Sequence, residues 1–135
     1  MEDFEELYEL ERVCFGNSWT HEMLAEELES PITVSVCERR DGVIAAFAFG
    51  RVVADEAELF QIGTRPDFRK QGLAKSLLER IHEKMRERGA AVCFLEVRSR
   101  NQAARSLYEK LGYEQISVRK KYYPGDDAVI MKKVL

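Results

Sequence analysis

Arg69-Lys70-Gln71-Gly72-Leu73-Ala74 stands between a β-prone run, Ala57 to Thr64 closed by Pro66, and a helical stripe of Leu73, Leu77, Leu78, Ile81 and Met85. A strand running through a loop into a long helix is the first half of a strand-helix-strand unit on a mixed sheet. The first turn of a helix leaves N–H groups without intrahelical partners, and the positive end of the dipole lies there too, so this loop is a ready anion site. Gly72 has no side chain to obstruct a phosphate, and Ala74 is small enough to permit close approach. Arg65, Arg69, Lys70 and Lys75 against Asp67 give the stretch a local charge of +3. Neither the Gly-x4-Gly-Lys-Ser/Thr phosphate loop nor the Gly-x-Gly-x-x-Gly dinucleotide fingerprint is present. A lone glycine before a helix can be simple turn geometry. The spacing Arg-x-x-Gly-x-Ala, after a strand and before a helix over 72–88, argues instead for a phosphate-bearing ligand.

Working downstream, Gly89 stops the helix, and Ala91 to Val97 reads as a buried strand. Asn101 caps a shorter helix with the stripe Ala104, Leu107, Tyr108 and Leu111, ended by Gly112. Two strand-like runs, Tyr113 to Arg119 and Ala128 to Val134, flank Tyr122-Tyr123-Pro124-Gly125. Upstream, Phe4, Leu7, Leu10 and Cys14 recur at helical spacing. Gly16-Asn17-Ser18 breaks that helix, and Ser18 or Thr20 caps a second one carrying Met23, Leu24 and Leu28, which Ser30-Pro31 ends. Ile32 to Glu38 and Val43 to Phe49 form a hairpin through Asp41-Gly42, and a further run crosses Gly50 to Val53. The expected order is α-α-β-β-β-α-β-α-β-β, a mixed α/β sheet in one domain over residues 1–135.

Composition narrows the class. With 45% hydrophobic and 33% charged residues, the 135-residue chain has an ordinary core and a polar surface. It has no long apolar run, and Glu2 and Asp3 follow Met1, so neither a membrane span nor a secretory signal is expected and the cytoplasm is the expected compartment. Cys14, Cys37 and Cys93 are scattered in apolar contexts, which suits buried thiols rather than disulfides or a zinc site. His21 and His82 sit among charged neighbours and read as surface residues, without metal-ligand company. The net charge of −3 hides ten acids against Arg12 alone in residues 1–29, so the remainder is basic. Such a block is the solvated face of helices or, in the sharper reading, favours a cationic substrate. No helix carries a continuous basic face with interleaved aromatics, so nucleic acid is not an expected partner.

The loop Arg69-Lys70-Gln71-Gly72-Leu73-Ala74 resembles the pyrophosphate-binding motif of the GNAT superfamily of N-acetyltransferases. Asn101-Gln102-Ala103-Ala104-Arg105-Ser106-Leu107-Tyr108-Glu109-Lys110-Leu111-Gly112-Tyr113 resembles its second signature. Leu95-Glu96-Val97-Arg98 and Lys120-Lys121-Tyr122-Tyr123-Pro124 look like the RimI-type protein N-terminal acetyltransferases. The resemblance spans residues 4–134. It implies a GNAT fold, acetyl-CoA as co-substrate, no metal, and a protein or peptide N-terminus as acceptor, ribosomal proteins among the candidates. The family usually has a strand before the first helix, whereas this sequence opens almost at the helix, so either that strand is missing or the start differs. Ile62, Gly63 and Thr64 would bind acetyl-CoA at the strand end. Arg69, Lys70, Gln71, Gly72, Leu73, Ala74 and Lys75 would receive its pyrophosphate, and Asn101 would face it. Glu96 matches the family's general base and Tyr108 its general acid. Phe15 and Trp19 would form one wall of the acceptor site, and Tyr122 and Tyr123 would hold the peptide.

These roles make chemical sense. An amine must be neutral to attack a thioester, so a carboxylate or water relay has to take its proton. At pH 7 an α-amine is roughly 15% neutral and a lysine about 0.04%, so a modest base suffices for an N-terminus. A tyrosine, protonated at that pH, can return a proton to the leaving thiolate. Alternatives remain: Glu96 can simply meet solvent at a strand end, Tyr108 can be core packing, and Glu58 is a rival base on the preceding strand. The acceptor can also be a lysine or a small-molecule amine, and the domain can be a non-catalytic acyl-CoA-binding regulatory module. Oligomeric state is not legible.

Overall fold

The computed structural model describes residues 2–16, 19–69 and 71–135. The break at Asn17, the alternative cap at Ser18 and the proposed pyrophosphate ligand Lys70 lie outside them. Helices α1 (Glu2–Phe15) and α2 (His21–Glu29) precede strands β1 (Thr33–Arg40), β2 (Val43–Val53) and β3 (Glu56–Thr64). After a short 3-10 turn at Pro66–Phe68 come α3 (Leu73–Glu87), β4 (Val92–Arg98), α4 (Gln102–Lys110), β5 (Glu114–Tyr123) and β6 (Asp126–Val134). The order is the one expected.

Local chemistry sets several of these boundaries. Thr20 Oγ1 accepts from the Met23 N–H at 3.1 Å and starts α2, as Asn101 Oδ1 accepts from Ala104 N–H at 3.2 Å and starts α4. Asp41 and Gly42 both have positive φ, 54° and 80°, the conformation of a tight hairpin turn that matches strand twist. The further run from Gly50 to Val53 continues β2 without a break. Gly50 is there because β3 passes close by: a Cβ would overlap the Glu58 carbonyl oxygen.

All six strands join one sheet in the order β1-β2-β3-β4-β6-β5. Only β3 and β4 are parallel, as a strand-helix-strand crossover through α3 requires. Helices cover both faces. On one, Leu73, Leu77, Leu78, Ile81 and Met85 of α3 pack with Tyr108 of α4 against Val36, Ala48, Leu59 and Leu95. On the other, Leu10 and Leu24 of α1 and α2 pack on Ile44, Phe47 and Phe49. Between them β2 is buried from Ile44 to Gly50, which is why that stretch reads as continuous apolar sequence rather than alternation.

Two expectations are corrected here. His82 is not on the surface: it is 2% exposed, facing the sheet beside Ile81 and Met85. Its Nε2 lies 2.7 Å from the Tyr113 hydroxyl, which supplies the partner a buried imidazole needs. Of the three thiols only Cys93 is buried; Cys14 is half-buried and Cys37 is exposed on the outer strand β1.

Candidate active site

The site is made by two strands that part. β3 and β4 pair only where Glu56–Glu58 face Val92–Phe94. From Leu59 onward β3 pairs with β2 alone, while β4 continues along β6. The divergence coincides with a bulge: Phe49 pairs with Gln61 and Gly50 with Leu59, which leaves Phe60 as the extra residue. A bulge bends its strand and increases its twist. The β4-facing edge of β3 therefore has no strand to pair with and offers its backbone groups to an extended ligand.

A cleft of about 840 Å³ fills the opening, lined by Leu59 to Ile62 of β3, Leu95 to Arg98 of β4, and Asn101, Leu107 and Tyr108 around α4. A second hollow of about 380 Å³ lies at the end of α3, against Gly63, Gly72, Leu73 and Lys75. The two share Phe15, Ile62, Thr64, Arg69, Ala74 and Leu107, so they adjoin one another.

The α3 end has the geometry of an anion site. Gly72 takes φ +78° with nothing within 4 Å of the position of a Cβ, a left-handed backbone that glycine adopts without strain. The first intrahelical bond runs from Ser76 N–H to Gly72 O, which leaves the N–H groups of Leu73, Ala74 and Lys75 without intrahelical partners. Arg69 donates from Nε to Thr64 O at 3.2 Å and borders both hollows. Arg65 donates to Ile44 O at 2.7 Å and lines neither; it secures the turn after β3. Gln71 is exposed and lines neither hollow.

At the other end, Glu96 and Tyr108 line the same cleft from β4 and α4. Tyr108 is 8% exposed, edge-on to Tyr113 at 5.6 Å. Burial pushes its phenol up to about 12, so it carries its proton at neutral pH. Glu96 Oε2 accepts from the Tyr123 hydroxyl at 3.2 Å, and Arg119 Nη1 lies 3.7 Å from Oε1. The Tyr123 phenol is raised by burial and then by the Glu96 charge beside it.

The other expected residues distribute as follows. Ile62 and Thr64 line both hollows and Gly63 one; a Cβ on Gly63 would stand 3.0 Å from the rings of Phe15 and Phe47. Asn101 lines the cleft while capping α4. Phe15 lines both hollows, but Trp19 packs edge-on to Phe49 at 5.4 Å and beside Phe60 at 6.5 Å, and Phe60 is the aromatic that reaches the cleft. Glu58 is exposed next to Arg51 and Phe94 in register and lines neither hollow. Tyr123 lines the cleft, whereas Tyr122 is exposed against Tyr123 and under Arg119. Phe60, Gln61, Arg98, Leu107 and Arg119 were not expected at the site; Leu107, in the helical stripe beside Tyr108, and Arg98, two residues after Glu96 in the same quoted stretch, carried a sequence signal. Among the described residues no group of three or more His, Cys, Asp or Glu is placed to hold a metal ion, and no helix is long and apolar enough to cross a membrane.

Known proteins share this fold and much of this sequence. The [ribosomal protein bS18]-alanine N-acetyltransferase of Escherichia coli K12 is 37% identical over 133 residues, covering 96% of this chain and 89% of that protein. The enzyme of the same name from Haemophilus influenzae is 36% identical over 135 residues, covering 96% and 90%. The crystal structure of the ribosomal-protein-S18-alanine N-acetyltransferase from Escherichia coli superposes with a TM-score of 0.91 at 36% identity, over 99% of this chain and 88% of that one. Residues 4–113 match the profile of the acetyltransferase (GNAT) family, and with these relatives the chain belongs to that family.

Proposed function

We propose that this chain transfers an acetyl group from acetyl-CoA to the α-amine of a protein N-terminus, with the alanine terminus of a bS18-type ribosomal protein as the first acceptor to try. The observation that carries the reading is the pair of adjoining hollows that reach from the α3 anion site, along the unpaired edge of β3, to Glu96 and Tyr108. The free N–H groups of Leu73 to Lys75, with Arg69, suit the pyrophosphate of the acetyl donor, and backbone groups from Leu59 to Thr64 suit its extended amide-bearing arm. The names of the relatives supply the acceptor class.

In this mechanism Glu96 takes a proton from the incoming amine, directly or through a water, and the nitrogen lone pair forms a bond to the thioester carbonyl carbon. Backbone N–H groups near Ile62 to Thr64 meet the charge that develops on the carbonyl oxygen. The carbon–sulfur bond breaks, the electron pair leaves with sulfur, and Tyr108 supplies the proton that makes it a thiol; the nitrogen gives up its remaining extra proton to solvent as the adduct collapses, and solvent returns one to the Tyr108 phenolate. The amine bonds to the acetyl carbon without a covalent enzyme adduct.

The test is mass spectrometry of peptides incubated with protein and acetyl-CoA, with free or blocked α-amines and an internal lysine. A gain of about 42 Da confined to free N-termini, highest for an alanine terminus, is the expected result. Labelling of the lysine alone would move the acceptor to another amine class, and CoA binding without any labelling would leave a regulatory module.

A further inference from the structure

Glu96 is held from a strand that is not its neighbour. β5 sits outside β6, yet Tyr123 of β5 reaches across to the Glu96 carboxylate of β4. A break in register explains the reach. Arg119 pairs with Ala128 and Tyr123 with Asp126, so four steps along β5 match two along β6. In regular pairing Lys121 would face Asp126 and Tyr123 would fall in the turn. The two extra residues are accommodated by Lys121 at φ 55°, and Asp127 pins them, accepting from Lys121 N–H at 2.8 Å with Lys120 Nζ at 3.6 Å. Bulges of this kind re-aim side chains.

We infer that Tyr123 is a positioning residue for Glu96, aimed by this bulge and braced by Arg98. The Arg98 guanidinium lies 4.0 Å from the centroid of the Tyr123 ring, a cation–π contact that fixes the ring plane. The hydroxyl donates to Oε2 and Arg119 stands at Oε1, so the carboxylate is held at both oxygens. A carboxylate has about four acceptor positions, and these two contacts leave room for a proton from the acceptor amine or a bridging water. A glutamate near a strand end otherwise samples several rotamers. Held in one, it meets the amine without first being ordered, and small misplacements of a catalytic group are costly. The inference rests on the acetyl-transfer reading above, and it assigns Tyr123 a role through Glu96 rather than through the peptide backbone.

Tyr123→Phe keeps the ring under Arg98 and removes the hydroxyl alone. The expected result is a kcat lower by roughly tenfold, with KM for peptide and for acetyl-CoA each within about twofold and Tm unchanged. Added to Glu96→Gln, it is expected to cost nothing further, since two residues acting through one interaction are not additive. A raised peptide KM with unchanged kcat, or an equal loss in both backgrounds, overturns the positioning role and leaves acetyl transfer intact. Full turnover by Glu96→Gln, or no acetylation by the unsubstituted protein, overturns the base assignment and the positioning role together. Should Tyr123→Phe lower Tm, Arg98→Met replaces it: releasing the ring is expected to lower kcat in the same non-additive way, and a fully additive loss overturns the role.

Discussion

The imidazole of His82 and the phenol of Tyr113 meet at 2.7 Å in the interior, and the same hydroxyl lies 3.2 Å from the Cys93 sulfur. This chain of polar groups ties α3 to β4 and to the residue that follows α4. Each member is 2% exposed or less, so the imidazole and the phenol satisfy one another away from water, while the thiol also donates to Phe94 O at 3.7 Å.

Burial lowers the His82 pKa to about 4, with the charges of Lys133 and Arg86 adding to it. The unfolded chain binds that proton near 6.5 and the folded protein only near 4, so the stabilisation is full above pH 6.5 and is lost as pH falls towards 4. Thermal unfolding followed across pH 4–7 should show Tm falling by several degrees through this window. His82→Gln, which keeps a hydrogen-bonding side chain and does not titrate, should start from a lower Tm at pH 7 and lose less. Equal slopes for the two proteins would remove His82 from the account.

Gly50→Ala tests the close approach that accompanies the bulge. Its Cβ would overlap the Glu58 carbonyl oxygen, a backbone atom that cannot swing away. Overpacking against backbone costs about 3 kcal/mol or more, and a Tm lower by roughly 10 °C is expected. An unchanged Tm would mean that β2 and β3 are farther apart at this point.

Ala74→Glu adds a methylene and a carboxylate at the first turn of α3, where both hollows meet. Repulsion of an anion and simple obstruction act together there. Calorimetric titration with CoA should show affinity lower by at least a hundredfold, while Tm without ligand changes little because position 74 is only half-buried. Retained affinity would relocate the pyrophosphate site.

Tyr108→Phe should bind CoA normally and lose turnover by roughly a hundredfold, the scale of a single proton donor. Since the phenol is pushed up to about 12, the unsubstituted protein should show no alkaline fall in kcat from this group below about pH 10. Turnover within twofold of the unsubstituted protein would return Tyr108 to a packing role.

Much of the fold is legible in short stretches. The Asp41-Gly42 turn, the caps at Thr20 and Asn101, and the α3 stripe are each written in a few neighbouring residues. The misreading of His82 is instructive for the same reason. It lies four residues after Leu78 and three before Met85, on the buried face of its own helix, so helical spacing carried the signal while residue type suggested the surface. Its partner Tyr113 is 31 positions away, and no local pattern announces it. Trp19 and Phe60 show the converse limit: both are aromatic residues near the groove, and only packing decides which of them lines it.

What the sequence determined by itself was the order of elements, the turn and cap positions, and a helix end suited to phosphate. These depend on backbone preferences and hydrogen bonds among residues within about four positions of one another. Only the tertiary structure decided that β3 and β4 part after Glu58, that Phe60 bulges, and that a second bulge brings Tyr123 to Glu96 across an intervening strand. Register between strands distant in sequence is set by the packing of whole faces, and a slip of one residue reverses every side chain.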